Sequence, residues 1–360
     1  MKAWKLIDGM PDRVPVQFDL CRQLLEHFGN KLNIPVNITK NLYEDVTWRI
    51  SGNEIRTAMG SDVVVTGASE ASGFNPEILP DGSWYNEYGM KMHQGDIYVE
   101  VDEYPLKNIE TKEDVLNYQF PDLSLPGRFD DACELVKKYN KDYFVIGDIE
   151  VTILTLVQQL VGMEKMLMDM ALEKDYLPEL ISRVTDFHID HGLRLIETGV
   201  DALWVGDDFG GQSSLLFSVE YFRRIWKPHY VRMCEAFRKA NKDITLILHC
   251  DGAVSELLND FHEIGFQIFN PVQPGVPHHG PEEIKSGWGE VLSFWGAVDQ
   301  QDLIPSGTDE ELEADIKEKI TILGRQGGYM IAPAHILQPD VTPERVETFI
   351  ELCMKHGKYS

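Results

Sequence analysis

The amino-acid sequence predicts an α/β protein with the (β/α)8 TIM-barrel fold, built as a single domain over residues 1–360. Its 360 residues are enough for one such barrel, and 43% of them are hydrophobic against 26% charged, as in ordinary globular proteins. A short β-branched or aromatic run followed by a stretch with helical periodicity recurs along the chain. Eight such strand–helix units favour the barrel over a doubly wound open sheet.

The predicted strands contain consecutive apolar residues instead of alternating apolar and polar ones. This pattern is typical of parallel strands that are covered on both faces. Each run ends in polar residues before the next helix-like stretch begins. The predicted strands are Val14–Leu20, Asp62–Gly67, Tyr143–Ile149, Ala202–Asp208, Thr245–Gly252, Gln267–Val272, Leu292–Val298 and Tyr329–Ala334.

The segments between the strands are predicted to be helical. Met163–Lys174 and Tyr176–Thr198 are rich in good helix formers, with apolar residues three to four positions apart. A further helix is expected up to Leu323, because Thr308 followed by Glu311 has the pattern of a capping box.

Two regions interrupt this alternation. The segment 73–104, with alternating residues at Asp96–Val101, predicts a β-meander inserted after the second strand. Pro271–Gly280 predicts a stiff loop after the sixth strand. Because long loops after barrel strands commonly form the mouth of the active site, we expect both regions near the site.

The composition restricts the possible partners. With 33 Lys and Arg against 59 Asp and Glu, the net charge of −26 would repel nucleic acids and anionic membranes, and it favours a small-molecule or protein partner. No run approaches the roughly 18 apolar residues of a membrane helix. The five cysteines are scattered and odd in number, which predicts a reducing, cytoplasmic location.

Polar residues lie at the C-terminal ends of the predicted strands, where the loops of a barrel converge on one open face. A single polar residue at such a position can be explained because the strand leaves the buried core there. Polar residues at the ends of all the predicted strands together favour a binding site. The candidates for contacts with substrate are Asp19, Asp148, Asp208, Asn270, Gln273 and Asp299.

The strongest candidate for chemistry follows the fifth strand, at His249, Cys250 and Asp251. Because consecutive strand residues point to opposite sides, His249 and Asp251 are expected to face the pocket together. His335, from the last strand, would add a second imidazole. These three residues are the candidate catalytic groups and ligands of Zn²⁺ or another divalent metal, with Cys250 as an alternative ligand. The competing interpretation is that His249 hydrogen-bonds Asp251 without a metal.

Asp207 is a further catalytic candidate. It belongs to the sequence GDDFGG, in which glycines let a ligand approach the backbone closely. The carboxylate could act as a general base or orient a metal ligand. A helix N-cap or an Asx turn explains it equally well.

Six segments in order along the chain carry a family resemblance: RVPV (13–16), GVDALWVGDDFGGQ (199–212), LHCDG (248–252), NPVQP (270–274), GAVDQQDLIPSGT (296–308) and GGYMIAPAHILQPDVTPERV (327–346). They resemble the uroporphyrinogen decarboxylase superfamily over nearly the whole chain. The resemblance implies a (β/α)8 barrel, in agreement with the strand count.

The resemblance is closer to the corrinoid-dependent methyltransferases of this superfamily than to true uroporphyrinogen decarboxylase. The true decarboxylases carry an arginine-rich stretch after the first strand and an aspartate beyond the second. The corresponding positions, Phe18–Leu20 and Val65–Gly67, carry neither signature. His335 matches a histidine of the decarboxylase motif near the last strand, so that branch remains an alternative.

The methyltransferase branch implies a zinc site. Its members hold zinc on a His-x-Cys pair after strand five and a cysteine after strand eight. His249 matches the histidine, Asp251 replaces the first cysteine, and His335 falls at or next to the second. A site with fewer thiolates is harder, and it suits Zn²⁺ or other divalent metals.

The resemblance therefore implies a methyltransferase of one-carbon metabolism that moves a methyl group between a corrinoid (cobalamin) and a thiol or tetrahydrofolate-type acceptor. The cobalamin would be carried by a partner corrinoid protein or arrive free, and a homodimer is possible. The alternatives are a uroporphyrinogen decarboxylase-like carboxy-lyase acting on a tetrapyrrole or smaller acid, and a non-catalytic corrinoid- or tetrapyrrole-binding protein.

Overall fold

The computed structural model describes residues 11–38, 48–95 and 98–358. Seven parallel strands form one sheet, in which they stand in their order along the chain, and this sheet is curled. Each strand pairs with the next in the parallel sense, so the C-terminal ends of all seven lie at the same edge. The seven strands are β1 Val63–Thr66, β5 Phe144–Asp148, β6 Ala202–Gly206, β7 Thr245–His249, β8 Ile268–Val272, β9 Ser293–Val298 and β10 Tyr329–Pro333.

Helices follow the strands of the sheet and cover its outer face. A π-helical turn, Phe222–Trp226, and a 3-10 turn, Ser255–Leu257, precede α9 and α10 respectively. The α-helices are α1 Arg22–Leu32, α2 Asn53–Ala58, α3 Lys112–Asn117, α4 Asp130–Tyr139, α5 Leu154–Val161, α6 Met163–Ala171, α7 Leu177–Thr198, α8 Val219–Tyr221, α9 Lys227–Ala240, α10 Leu258–Ile264, α11 Pro281–Trp288, α12 Leu303–Ser306, α13 Asp309–Leu323 and α14 Pro343–His356.

The two faces of the curled sheet are both buried. Alternate strand residues, including Ile146, Trp204 and Trp295, pack together on the inner face as a cluster of their own. The remaining strand residues pack against the helices in the main core. Since side chains alternate along a strand, this division explains the consecutive apolar residues in the sequence.

The predicted first strand, Val14–Leu20, is not a regular strand. It runs beside β10, with Gln17 N–H donating to Ile331 O at 3.1 Å and isolated parallel bridges at Val16 and Leu20. On its other side, the N–H of Asp62 donates to Val16 O at 2.9 Å. The predicted eight-stranded barrel thus corresponds, in the described residues, to seven parallel strands and this bridging segment.

A second, antiparallel sheet lies between β1 and β5 in the chain, within the range 73–104 where a β-meander is predicted. Its order is β2-β3-β4, from Trp84–Tyr85, Lys91–Gln94 and Val99–Glu103. The predicted alternating run at Asp96–Val101 falls partly outside the described residues.

The predicted capping box at the start of α13 is confirmed. The Thr308 hydroxyl accepts a hydrogen bond from the N–H of Glu311 at 3.2 Å, and the Glu311 carboxylate accepts one from the N–H of Thr308 at 2.9 Å. In the described part of the chain, none of the helices combines the length and the apolar character needed to span a membrane.

Candidate active site

His249, the last residue of β7, is held in one orientation by its neighbour on β8. Its Nδ1 lies 2.7 Å from Oδ1 of Asn270, and the two residues are paired in the sheet register. Because the amide oxygen is an acceptor, Nδ1 carries the proton and donates it. The ring also stacks on Trp204, with centroids 5.7 Å apart. The orientation of His249 therefore directs Nε2 away from Asn270.

Carboxylates surround Nε2 of His249. It lies 3.7 Å from Oε1 of Glu150 and 3.7 Å from Oδ2 of Asp251. Burial of the ring by itself would lower its pKa, but the charges of Glu150, Asp251 and Asp208 outweigh this effect and raise the pKa of His249 to about 9. The position of Nε2 is therefore one at which positive charge is stabilised.

Asp208, His249 and Asp251 form a compact group of possible metal ligands. One ligand atom from each lies within 4.8 Å of the other two. Oδ1 of Asp208 accepts the N–H of Asp251 at 2.8 Å, which fixes the two acidic residues relative to each other. The side chain of Asp208 is exposed, but nearby protein atoms partly desolvate its carboxylate, and this effect together with the neighbouring charge of Asp251 raises its pKa.

The other predicted ligands occupy different places. Nε2 of His335 lies 3.9 Å from Oδ2 of Asp251, and its ring centroid is 6.4 Å from that of His249, so it borders the compact group. The thiol of Cys250 is buried, and it accepts a hydrogen bond from the N–H of Phe209 at 3.4 Å. Burial raises the pKa of this thiol well above its usual range. The tightest set therefore contains Asp208 where the sequence predicted His335, and Cys250 faces away as the alternation of the strand predicts.

Asp207 does not join this group. Its carboxylate is buried and accepts hydrogen bonds from the N–H groups of Ile153 and Thr155, at 2.8 and 2.7 Å, and from the hydroxyl of Tyr230 at 2.5 Å. Burial raises its pKa to about 6. The helix-capping interpretation fits this aspartate, although the helix that it caps is α5, which follows another strand.

A buried ionic network lies beneath the group. Arg49 donates to Oδ2 of Asp19 at 3.1 Å, to Oδ2 of Asp148 at 3.2 Å and to Oε2 of Glu150 at 2.5 Å. Arg56 donates to the second oxygen of Asp19 at 2.9 Å. Two of the predicted substrate contacts, Asp19 and Asp148, therefore have protein partners already.

The three carboxylates of this network are not equivalent. Burial raises the pKa of Asp148 to about 7, and the nearby charge of Glu150 adds to the rise. Burial also opposes ionisation of Glu150, but Arg49 and then His249 bring the pKa of Glu150 below its ordinary value. The network thus combines one carboxyl group that titrates near neutrality with one that stays ionised.

Arg49 and Glu150 were not predicted as site residues. Both lie outside the predicted strands, and each is next to a non-glycine residue with positive φ, Trp48 at 52° and Val151 at 56°. Such backbone conformations are costly for bulky and β-branched residues, and they occur preferentially at functional sites. The only sequence signal for Glu150 is its position just after Asp148 at the strand end.

Gly206 provides the space that Glu150 occupies. A Cβ at this position of β6 would overlap Glu150 Cγ and lie 3.0 Å from its Cδ. The backbone of Gly206 also pairs with Thr152, through hydrogen bonds of 3.0 Å in both directions. The glycine at the end of β6 therefore admits the acidic side chain that approaches His249.

The remaining predicted substrate contacts bind the protein itself. Oδ1 of Asn270 is bonded to His249, and Oε1 of Gln273 accepts the N–H of Gly252 at 2.7 Å. Oδ1 of Asp299 accepts the N–H groups of the two residues that precede α12. Of these three, only Gln273 lines the cavity described next.

A cavity of about 480 Å³ opens beside the group, with a volume in the usual range for a small-molecule site. Tyr98 reaches it from the start of β4, and its hydroxyl accepts a hydrogen bond from the amide of Gln338. The lining residues are Tyr98, Gln212, Asp251, Gln273, Gln300, Gln301, Ala334, His335, Ile336, Gln338 and Asp340.

The expectation of a separately carried corrinoid rests on the absence of an Asp-x-His-x-x-Gly cobalamin motif, and this premise is wrong because the spacing occurs in the chain. The sequence DFHEIG at Asp260–Gly265 has the spacing Asp-x-His-x-x-Gly. It forms α10 and its glycine C-cap, and buried Asp260 is bonded to Arg223 and Lys227. In this structure the segment therefore ends helix α10 and provides Asp260 as the acidic partner of two basic side chains.

Comparison with known proteins gives one family. The family model described as uroporphyrinogen decarboxylase (URO-D) matches residues 88–356, well over half of the chain. The uroporphyrinogen decarboxylase of Schizosaccharomyces pombe is 25% identical over 185 residues, which cover 50% of this chain and 49% of that protein. The chain therefore matches about half the length of this curated relative.

A solved structure is similar over nearly the whole chain. A methyltransferase from Methanosarcina mazei superposes with a TM-score of 0.68, at 17% sequence identity, over 97% of this chain and 95% of that one. At this identity the likeness shows the fold. Together with the extent of the family match, it confirms the resemblance found in the sequence: the chain belongs to the uroporphyrinogen decarboxylase family.

Proposed function

We propose that the chain is a methyltransferase that moves a methyl group between a corrinoid and a thiol or tetrahydrofolate-type acceptor, assisted by a divalent metal ion. The observation that carries this proposal is the compact group of Asp208, His249 and Asp251 at the mouth of the sheet. The fold shared with a protein described as a methyltransferase supports it.

The residues present fit a divalent cation. Nδ1 of His249 is used by Asn270, which leaves Nε2 as the ligand atom. Asp208 uses one oxygen for the N–H of Asp251 and keeps the other. One imidazole and two carboxylates suit Zn²⁺ and harder divalent ions, and Cys250 is turned away.

When bound, a divalent ion at these residues would supply Lewis acidity that lowers the pKa of an acceptor thiol. The chain's own residues have separate tasks. Asn270 orients the imidazole, and Arg49 keeps Glu150 ionised beneath it. His335 borders the cavity with its side chain 36% exposed, where it can take up the proton of the acceptor.

The corrinoid would reach the cavity from outside, on a partner corrinoid protein or free. The Asp260–Gly265 segment, which has the motif spacing, is folded as helix α10 and its cap. The described residues thus offer the cavity beside His249 as the place where the methyl donor and the acceptor would meet.

Metal analysis and a transfer assay together test this proposal. Protein purified without a His-tag should contain about one Zn²⁺ or similar ion per chain. It should demethylate methylcobalamin with at least one member of a panel of thiols and tetrahydrofolate, which the visible spectrum of the corrinoid reports. His249→Ala should lose both metal and activity, whereas Cys250→Ala should keep the metal. A metal-free protein whose activity survives His249→Ala would contradict the proposal.

A decarboxylase is the second candidate, favoured by the family model and by the Schizosaccharomyces pombe relative, both described as uroporphyrinogen decarboxylase. Asp148, whose pKa burial raises to about 7, is partly protonated at neutral pH and would be the store of the proton that replaces carbon dioxide. Carbon dioxide release from a porphyrinogen or smaller acid, abolished in Asp148→Asn, would favour this activity. Binding of a corrinoid or tetrapyrrole without either turnover would favour the non-catalytic alternative.

A further inference from the structure

The cavity beside His249 has amide and carboxylate groups in its wall and no lysine or arginine among the described residues that line it. Five glutamines contribute neutral hydrogen-bonding groups, while Asp251 and Asp340 contribute negative charge. A ligand with carboxylate, sulfonate or phosphate groups normally requires guanidinium or ammonium partners at such a site. The wall of this cavity therefore does not provide the usual partners of an anion.

The nearby arginines do not provide a partner for an anionic ligand either. Neither Arg49 nor Arg56 lines the cavity. Arg49 is 7% exposed and is shared among three carboxylates. Arg56 is 1% exposed and donates to Asp19, to the backbone oxygen of Arg49 and to Oδ1 of Asn53. An incoming carboxylate would have to displace a buried ion pair to reach either guanidinium, at a large desolvation cost.

The formal charge of the region stays negative even when it holds a metal ion. Six carboxylates stand against the two guanidinium groups, so that a divalent cation would still leave two negative charges, or one when Asp148 is protonated. In a partly desolvated cavity, this excess favours a positively charged ligand over an anionic one. The six carboxylates belong to Asp19, Asp148, Glu150, Asp208, Asp251 and Asp340.

Among the described residues, the one cationic group close to the cavity wall is already paired, and an aromatic ring stands in that wall. The side chain of His249 is 9% exposed, its pKa is raised to about 9, and its Nε2 lies 3.7 Å from Oε1 of Glu150 and 3.7 Å from Oδ2 of Asp251, so its charge is matched by protein carboxylates and not left for an anionic ligand. The ring of Tyr98 stands in the same wall, edge-on to His335 with centroids 6.5 Å apart. An aromatic ring next to carboxylates is a common arrangement for holding an organic cation.

We infer that the small molecule bound in this cavity is an organic cation of the ammonium class, either an amine or a quaternary ammonium compound. This inference rests on the proposed function for the role of the ligand and narrows it: the ligand would be a methylated ammonium compound as donor or a thiol bearing an ammonium group as acceptor, in place of tetrahydrofolate or an anionic thiol. Binding itself requires only the cavity. Asp340 and Asp251 supply the attraction, Tyr98 supplies an aromatic ring in the wall, and the glutamines select polar substituents.

Three probes of nearly equal shape test the inference by calorimetry on the full chain. The first probe is choline, which carries a fixed positive charge at every pH. The second is its neutral isostere, in which a tert-butyl group replaces the trimethylammonium group. The third is a carboxylate of similar size, which carries a negative charge. Choline should bind at least about tenfold more tightly than the neutral isostere, with the carboxylate weakest, and the preference should decrease with added salt. Equal affinities, or tighter binding of the carboxylate, would overturn the inference.

A matched pair of variants tests whether the preference for choline arises from charges in the cavity wall. Asp340→Asn removes a charge from the cavity wall and should weaken choline binding about threefold to tenfold, without changing the affinity of the neutral isostere. Asp142→Asn removes an exposed charge just before β5, at the opposite edge of the sheet, and should change neither. If both variants reduce choline binding equally, the preference reflects the net charge of the chain and the inference is wrong.

The cation inference and the proposed function can be overturned by different results. Methyl transfer from methylcobalamin with an anionic thiol or tetrahydrofolate as the best acceptor would support the proposed function and overturn the cation inference. Selective choline binding in a protein that transfers no methyl group to or from any corrinoid would support the cation inference and overturn the proposed function.

Discussion

Asn270 determines which nitrogen of His249 faces Asp251, a residue of the cavity wall, although neither Asn270 nor His249 is itself part of that wall. The amide oxygen can only accept, so it selects the tautomer with the proton on Nδ1 and leaves Nε2 for a ligand. The stacked ring of Trp204 restricts rotation of the same imidazole. The chemistry of His249 thus depends on two neighbours that have no chemical role of their own.

Asn270→Ala should lower the affinity for a divalent metal by about 10- to 100-fold, as loss of the partner that orients a histidine ligand typically does. The physical reason is that the imidazole loses both its tautomer preference and its fixed orientation. Competition between the protein and a chelator for Co²⁺ or Zn²⁺ would measure the change. Asn270→Asp keeps an acceptor in place and should bind metal more tightly than the alanine variant; equal affinity of the wild type and Asn270→Ala would show that the contact does not orient a ligand.

At the scale of elements, the contact between β6 and the segment after β5 shapes the site. Gly206 lets the side chain of Glu150 pass over the strand, and Val151 adopts a φ of 56° immediately afterwards. The backbone turn brings Glu150 within 3.7 Å of His249. A strand-end glycine therefore controls the electrostatics of a histidine on the next strand.

Gly206→Ala should destabilise the protein by about 1–3 kcal/mol, because the added methyl group overlaps Glu150 and forces it to move. The displaced carboxylate would also lose its contacts with Arg49 and His249. The activity of the folded protein should therefore fall as well, beyond any loss caused by unfolding. Urea unfolding monitored by circular dichroism measures the free energy of unfolding. Gly287→Ala, in α11 where an added Cβ meets nothing within 4 Å, is the matched control and should stabilise by up to about 1 kcal/mol. Equal stability of the two variants would disprove the steric argument.

The cap of α13 gives a second prediction at the element scale. Thr308→Ala removes the side-chain acceptor for the N–H of Glu311 and should cost about 1 kcal/mol in the free energy of unfolding. Thr308→Ser keeps the hydroxyl and should stay close to the wild type in the same urea titration. If the alanine variant is as stable as the wild type, water replaces the hydroxyl as hydrogen-bond partner without a loss of stability.

For the whole molecule, the buried histidines make stability depend on pH. Burial lowers the pKa of His191 to about 3 and that of His229 and His279 to about 4, and it lowers the pKa of His188 well below the ordinary value. Below a pH of about 6.5 these four histidines bind more protons in the unfolded chain than in the folded chain, and they outnumber Asp148 and Asp207, whose raised pKa values act in the opposite direction. The free energy of unfolding should decrease as the pH falls from about 6.5 towards 4.

His191→Leu should reduce this pH dependence. Neither ring nitrogen of His191 has a hydrogen-bond partner among the described residues, so the substitution leaves none of them unpaired. In the window between about 4 and 6.5, the slope of the unfolding free energy should decrease by up to about 1.4 kcal/mol per pH unit, the contribution of one proton. Urea titrations at several pH values measure it. An unchanged slope in His191→Leu would contradict the argument.

Seven of the predicted strands lie close to the observed ones, because the apolar runs that define them are local. Where a strand ends is set by pairing with its neighbour: the run predicted over Thr245–Gly252 pairs only as far as His249. The segment Val14–Leu20 has the composition of a strand, but its contacts with β10 are isolated bridges. Pairing between distant segments cannot be obtained from a local pattern.

The candidate site shows the same division. Polar residues at strand ends, including His249, Asp251 and His335, were found from periodicity alone, and two of them lie within 3.7 Å of each other. Arg49 and Glu150 were missed, since nothing local distinguishes them from surface charges. Their role follows from burial in one network with residues up to 101 positions away.

The sequence by itself thus determined the alternating architecture, the family and the edge of the sheet at which the chemistry lies, because hydrophobic periodicity and strand-end polarity are properties of short segments. Only the tertiary structure decided which polar groups share one space: Asp207 is used as a cap, Asp208 approaches His249, and Arg49 is already paired. The physical reason is that distance and desolvation set the strength of an electrostatic interaction, and both depend on how distant segments pack.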